Sequence, residues 1–230
     1  MKTKFGAIVQ ARMSSERFPG KVLYDVNGKP MLLYLLERLR KCVSLDTIVV
    51  ATSVEHEDTA IAELCLQLDI SCYRGQLSDV ASRFIESSEI YNLDAFVRVN
   101  GDSPLLDQSL IEKSIKIYLS GDYDLVTNRM PRSYPKGQTI EVLRTETYRQ
   151  TYPLFKEDDD WEHVTHYYYT HPENFRIHNF SYTESLDHVR LCVDTYEDMD
   201  GFGAIISRMD RPHWEYNLED VLRIYHSIRQ

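Results

Sequence analysis

Three cations crowd a single loop just after the first apolar run of this chain. In "VQARMSSERFPGKVL", Arg12, Arg17 and Lys21 share the segment with one acid, Glu16. Phosphate groups are held by backbone N–H groups in turns that carry Gly or Ser, and by cationic side chains. This loop offers both. Ser14 and Ser15 can turn the chain and donate hydroxyl hydrogen bonds, Pro19 and Gly20 set a second turn, and the three cations can surround a triphosphate. The spacing is neither that of a GxxxxGK[ST] loop nor that of GxGxxG. The competing reading is a surface loop with ordinary Arg and Lys.

A triphosphate calls for a divalent cation, and the cation calls for carboxylates. Asp102 follows the apolar run "AFVRVN", with Gly101 to let the backbone turn, and Asp194 ends "RLCVDT". Two strand-end carboxylates far apart in sequence can converge on one Mg2+. The alternative is that each merely caps the helix after it. Asp198 and Asp200 read as helix-face residues.

The charge distribution agrees with a local anion site. Net charge is -10, yet residues 1–41 hold nine Lys or Arg against three acids, a surplus of +6 that leaves -16 for the remainder. An acidic protein of this kind is not expected to bind nucleic acid or anionic membrane generally. The run "FGAIV" is too short for a signal peptide or a membrane span. Cys42, Cys65, Cys72 and Cys192 show no close CxxC pairing and read as reduced core thiols of a cytoplasmic protein. "EDDDWE" is the only acidic run and reads as a solvated loop or helix start.

The elements that must position these residues alternate through the first half. "FGAIVQA", "TIVVATS", "ISCYR" and "DAFVRVN" read as buried strands. "PMLLYLLERLRKC", "EDTAIAELCLQL", "DVASRFIESSEIY" and "QSLIEKSIKIYL" read as helices, the last with Asp107 as N-cap. The pattern predicts an α/β fold: a mostly parallel Rossmann-like sheet with helices on both faces. Such sheets bind ligands beyond the carboxyl ends of their strands, where the basic loop and "NGDSP" both fall. After about residue 120 the pattern loosens into a mixed α+β arm. "YDLVTN", "GQTIEVL", "FRIHNFS" and "RLCVDT" read as strands, "TETYRQTYPLF" and "EHVTHYYYTHP" as helices, and two amphipathic helices close the chain. With no long linker and no repeat, residues 1–230 are expected to form one domain.

"VQARMSSERFPGKVL" resembles the signature loop of the cytidylyltransferases that make CMP-activated acidic sugars, such as CMP-Kdo synthetases and acylneuraminate cytidylyltransferases. The likeness is closest to the spore coat polysaccharide biosynthesis protein F branch and covers nearly the whole chain. "YRGQLSDVASRF", "VRVNGDSPLLD", "KGQTIEVL", "EHVTHYYYTHPENFRI", "RLCVDTYEDM" and "YNLEDVL" resemble that branch's landmarks in the same order. The resemblance implies a nucleotide-diphospho-sugar transferase type of fold and a CTP-dependent transfer to a small sugar-like acceptor. It implies that Gln10, Ala11 and Arg12 lie by the nucleotide with Ser14, that Arg17 and Lys21 contact phosphates, and that Asp79 and Arg83 lie near base and ribose. Asp102 and Asp194 would hold Mg2+. Arg12, Lys21 and Asp102 would then carry the chemistry, with pyrophosphate leaving.

CMP-Kdo synthetases carry His-Gln-Ser-Gly where this chain reads "RGQLSDVAS", so the acceptor need not be Kdo. Residues 120–190 are expected to supply the acceptor side and a homodimer interface. Tyr134, Lys136, Glu141, His163 and His166 are polar enough to grip a sugar, and Tyr167, Tyr168 and Tyr169 suit an interface. One alternative is a glycosyltransferase using a finished nucleotide sugar. It would need a DxD metal motif, and the candidates are Asp122 with Asp124, Asp158 with Asp160, and Asp198 with Asp200. A non-catalytic nucleotide-binding homologue is the other; such a relative should lose a carboxylate or the loop lysine, and Asp102, Asp194 and Lys21 are all present.

Overall fold

A computed structural model describes residues 2–229. β1 (Phe5–Gln10) lies near the centre of a seven-stranded sheet and pairs in parallel with β4 (Thr47–Ser53) and β6 (Ala95–Asn100). A short hairpin, β2 (Asp25–Val26) and β3 (Lys29–Pro30), and helix α1 (Met31–Leu39) join β1 to β4. Helix α2 (Thr59–Gln67) leads to β5 (Ser71–Gly75) at the sheet edge, and α3 (Val80–Ile90) leads back to β6. Four adjacent strands are thus parallel, as the strand–helix alternation predicts.

The sheet becomes mixed beyond β6. Helix α4 (Gln108–Leu119) leads to β7 (Leu125–Thr127), and β8 (Glu141–Arg144) runs antiparallel between β6 and β7. Helices α5 (Thr145–Thr151), α6 (Asp158–Glu162) and α7 (His166–Thr170) precede β9 (Ile177–Asn179), which is parallel to β7. Helices α8 (Tyr196–Ile206) and α9 (Leu218–Ser227) complete the fold.

Strand alternation explains why the central strands are apolar throughout. Successive side chains point to opposite faces. On one face Ala7, Val9, Val97 and Val99 pack with Leu35, Ile111, Phe202 and Val221 of α1, α4, α8 and α9. On the other, Ile8, Ala51, Phe96 and Leu143 pack with Phe84, Tyr148 and Tyr168 of α3, α5 and α7. The expected reduced thiols appear as four free cysteines, Cys42 and Cys65 buried and Cys72 and Cys192 partly so. Among the described residues no helix is long and apolar enough to cross a membrane.

Three expected elements differ. "RLCVDT" forms no strand: only Arg190 bridges to Lys136, while the amides of Leu191 and Val193 donate to the Lys136 and Asp102 carbonyls at 2.8 Å each. This segment crosses the sheet's end instead of joining it. In "GQTIEVL" the strand begins only at Glu141. Gly137, at φ 94, approaches the Cys192 backbone so closely that a Cβ would lie 2.6 Å from Cys192 N. "EHVTHYYYTHP" breaks into α6 and α7 because the turn at His163–Thr165 drives the Thr165 hydroxyl onto the Glu141 carboxylate at 2.8 Å, a buried polar contact that one continuous helix does not make.

Asp107 does cap α4, accepting from Ser109 N at 2.8 Å, and its other oxygen accepts from Leu218 N at 2.7 Å. The carboxylate therefore ties the starts of α4 and α9 together inside the protein, where it is 3% exposed. Asp107→Ala is expected to lower unfolding free energy by about 2–4 kcal/mol, a lost cap plus a buried N–H left unpaired. Urea unfolding measures this; a change under about 0.5 kcal/mol would show that water replaces the carboxylate.

Candidate active site

The chain leaves β1 into the basic loop and leaves β6 into Gly101 and Asp102, so both segments emerge at the carboxyl end of the parallel strands. Local bonds fix the loop. Met13 O accepts from Ser15 N at 2.9 Å and Gly20 N at 2.8 Å, and Met13 N donates to buried Asp58 at 2.6 Å. Gly20 takes the left-handed conformation, φ 74, just before the turn that carries Lys21. Phe18 is buried and stacks on Tyr196 with ring centroids 3.9 Å apart, which pins the loop to the start of α8. Gly101 N donates to Gln10 O at 2.8 Å, and a Cβ at Gly101 would meet that same oxygen at 2.8 Å. Only glycine lets the two strand exits approach this closely.

These exits surround a cavity of about 400 Å³, within the range of small-ligand sites. Its walls include Gln10, Ala11, Arg12, Arg17, Lys21, Arg83, Asp102 and Asp194. Lys21 is nearly buried. Its Nζ donates to Asp102 Oδ2 at 3.2 Å, Asp194 Oδ1 at 3.0 Å and the Val193 carbonyl at 2.7 Å. One ammonium thus bridges two carboxylates that lie 92 positions apart in the chain. Neither carboxylate caps a helix: Asp107 and Thr195 hold those positions. The Val193 N to Asp102 O bond, 2.8 Å, joins the two acidic segments through their backbones.

Asp194 is the more crowded partner. Arg17 lies 3.1 Å from its Oδ1 and Arg190 2.6 Å from its Oδ2. Among the described residues Asp102 has a single cation, with Ser103 Oγ 3.3 Å from its other oxygen. Asp198 is no free helix-face residue. It closes the α8 capping box, accepts from Asp194 N at 2.9 Å and pairs with Arg190, whose guanidinium together with the backbone donors holds its carboxyl below the ordinary range against burial. Arg12 reaches Glu162 of α6 at 3.6 Å across the cavity.

Arg83 is 2% exposed, and its Nε and Nη1 have no hydrogen-bond partner among the described residues. Burial lowers its pKa to about 10. Asp58 and Asp79 oppose that shift in part, and the side chain forms part of the cavity wall. Two expected nucleotide contacts are not brought to the walls. Ser14 is exposed while Ser15 lines the cavity. Asp79 caps α3 through Ser82 N at 2.7 Å and accepts from the Tyr152 hydroxyl at 2.5 Å, so both oxygens are occupied.

Sequence reasoning missed a second charged centre. Arg98 of β6 pairs with Glu141 of β8 at 2.6 Å, and Glu141 also accepts from Thr165 Oγ1 at 2.8 Å and Tyr169 OH at 2.5 Å. Its one signal was a charged residue inside the apolar run "AFVRVN". Of the expected acceptor-side residues, His163 lines the cavity, and His166 is held by Asp160 at 2.8 Å. Glu141 and Tyr169 bind each other.

A mostly parallel sheet whose carboxyl end sets cations against two carboxylates defines a nucleotidyltransferase of the α/β class. Residues 6–207 match the cytidylyltransferase family, and the chain belongs to it; it is a CTP-dependent nucleotidyltransferase. The chain is 29% identical over 215 residues to spore coat polysaccharide biosynthesis protein SpsF of Bacillus subtilis, covering 89% of this chain and 88% of that one. It is similar in structure to a cytidylyltransferase from Leptospira borgpetersenii, with TM-score 0.94 at 26% identity, covering 99% and 96% of the two chains. A CMP:2-keto-3-deoxy-manno-octonic acid synthetase complexed with CTP shares the fold, with TM-score 0.70 at 17% identity, over 90% of this chain and 99% of that one.

Glu141 generates a pH prediction. Burial raises its pKa, but Arg98, the Tyr169 hydroxyl and Arg129 lower it, and the net shift is downward. A carboxyl depressed in the folded state adds stability above its unfolded pKa and loses it as pH falls through the folded value. The wild-type urea midpoint is therefore expected to fall more steeply than that of Arg98→Gln/Glu141→Gln below about pH 4, the ordinary Glu range. Parallel curves would remove the pair from the protein's acid response.

Proposed function

We propose that the protein transfers CMP from CTP to a small acidic sugar or related acceptor, releasing pyrophosphate, in surface polysaccharide or glycan synthesis. The observation that carries this reading is the Lys21 bridge between Asp102 and Asp194 at the cavity wall, with Arg12 and Arg17 beside it. A nucleotide's polyphosphate needs both cations for its charge and carboxylates for its metal.

An acceptor oxygen attacks the α-phosphorus, and the bond from that phosphorus to the bridging oxygen breaks as pyrophosphate departs. Such a transfer depends on in-line positioning and charge neutralisation more than on covalent help. Lys21 and Arg12 stabilise negative charge on the α-phosphate and leaving group, and Arg17 exchanges Asp194 for phosphate. Gln10, Ala11, Ser15 and Arg83 contact the nucleotide; Arg83 brings donors that the fold leaves unpaired. Asp79 acts from behind, by capping the helix that presents Arg83.

The donor set suits Mg2+. Two carboxylates already share one cationic centre, and Mg2+ is usually held by one or two carboxylates plus substrate phosphates and water. Among the described residues no three His, Cys, Asp or Glu side chains form a self-sufficient metal site, so the remaining ligands fall to the nucleotide. Asp102 and Asp194 would hold the ion, which when bound neutralises phosphate charge and lowers the pKa of a hydroxyl acceptor. The acceptor side and a homodimer contact fall to residues 120–190.

Asp102→Asn is expected to abolish turnover while the melting temperature stays within a few degrees. Near-normal activity would remove Asp102 from the chemistry. Lys21→Ala should lower kcat by about 10²–10³-fold; a change seen only in melting temperature would make Lys21 structural. The assay is pyrophosphate release across acidic sugars and sugar phosphates with each of the four nucleoside triphosphates and Mg2+. Release that depends on no acceptor, or transfer from a finished nucleotide sugar without pyrophosphate, would sink the reading.

A further inference from the structure

The β6–β8 register sets Arg98 directly opposite Glu141, and the β1–β6 register sets Gln10 opposite Asn100, two residues along β6 on the same face. Arg98 Nε then donates to Gln10 Oε1 at 3.1 Å, while its Nη1 is held by Glu141 at 2.6 Å. Arg98 is 8% exposed and Glu141 1% exposed, so neither end of this pair is free to wander. Thr165 and Tyr169 anchor Glu141 from α7 and the turn before it.

A guanidinium has donors and no acceptor. It therefore decides which way the Gln10 carboxamide faces: Oε1 must turn to Arg98, because the flipped amide would set NH2 against N–H. Gln10 lines the cavity, and among the described residues its Nε2 has no hydrogen-bond partner. Only the donor end is left for a ligand.

We infer that Arg98 is a positioning residue for base selection: by claiming Gln10 Oε1 it makes Gln10 a donor-only reader of the pyrimidine edge, favouring cytosine over uracil. This rests on the cytidylyl-transfer reading and its placement of Gln10 at the nucleoside. Cytosine N3 carries a lone pair that accepts from Nε2. Uracil N3 carries a hydrogen, so the same contact sets two donors against each other and leaves both unpaired. The charged residue in an apolar strand thereby acquires a role in discrimination, exerted through a neighbour and without touching the base.

The test is calorimetric binding of CTP and of UTP, each with Mg2+, which needs no acceptor. Wild type is expected to bind CTP at least about tenfold more tightly than UTP, the scale of one lost hydrogen bond to a buried group. Gln10→Glu presents only acceptors and should reduce the CTP-to-UTP ratio about tenfold or more. Arg98→Gln/Glu141→Gln strands no buried charge and frees the amide to flip, so it should reduce the ratio likewise; if it fails to fold, Gln10→Glu decides. A purely structural role would change both affinities together. A wild-type ratio near one, or an unchanged ratio in folded Gln10→Glu, overturns the inference and leaves nucleotidyl transfer standing. No CTP binding by wild type overturns both.

Discussion

The site is organised by one ammonium group taken out of water. Lys21, 8% exposed, sits between Asp102 and Asp194 and also donates to the Val193 carbonyl. A buried charge is tolerated only when it is paired and hydrogen-bonded, and removing one partner leaves the rest uncompensated. Each contributor is therefore constrained by the others. The basic loop must turn at Gly20, the β6 exit must turn at Gly101, and "RLCVDT" must cross the sheet's end instead of pairing within it. The expected strand at 190–195 fails for that reason: its amides are spent tying Asp194 to the Asp102 and Lys136 backbones.

The two carboxylates are not equivalent. Asp194 is surrounded by Lys21, Arg17 and Arg190, and its backbone N–H is taken by Asp198. Among the described residues Asp102 has Lys21 alone as a cationic partner. Asp194 is thus held in place by its surroundings, while Asp102 keeps acceptor capacity. The protein's own acids engage the loop cations: Asp194 lies 3.1 Å from Arg17, and Glu162 lies 3.6 Å from Arg12.

A second charged pair, Arg98 with Glu141, is buried within the sheet. It is carried by facing positions of β6 and β8, where the sheet changes from parallel to antiparallel. The reversal matters because it brings a residue from the mixed half of the chain against the parallel half. Thr165 and Tyr169, in the helical segment that breaks in two, supply the remaining hydrogen bonds. Breaking that helix satisfies the buried carboxylate.

The parallel half was legible in the sequence because its signal is local. Continuous apolar runs alternating with helical spacing mark strands covered on both faces, and Asp107 announces the α4 cap. The loop cations and the strand-end position of Asp102 were also legible, since both follow from residue type and place along the chain. The ordered motifs identified the family for the same reason. What only tertiary structure decided is which groups meet. Ser15, and not Ser14, reaches the cavity; Asp79 is spent on a helix cap; Arg83 is buried without a partner; and Arg98 finds Glu141. Hydrogen bonds and ion pairs between residues tens of positions apart leave no period in a sequence. They arise from strand register and from the cost of burying a polar group unpaired, and both are properties of the assembled sheet.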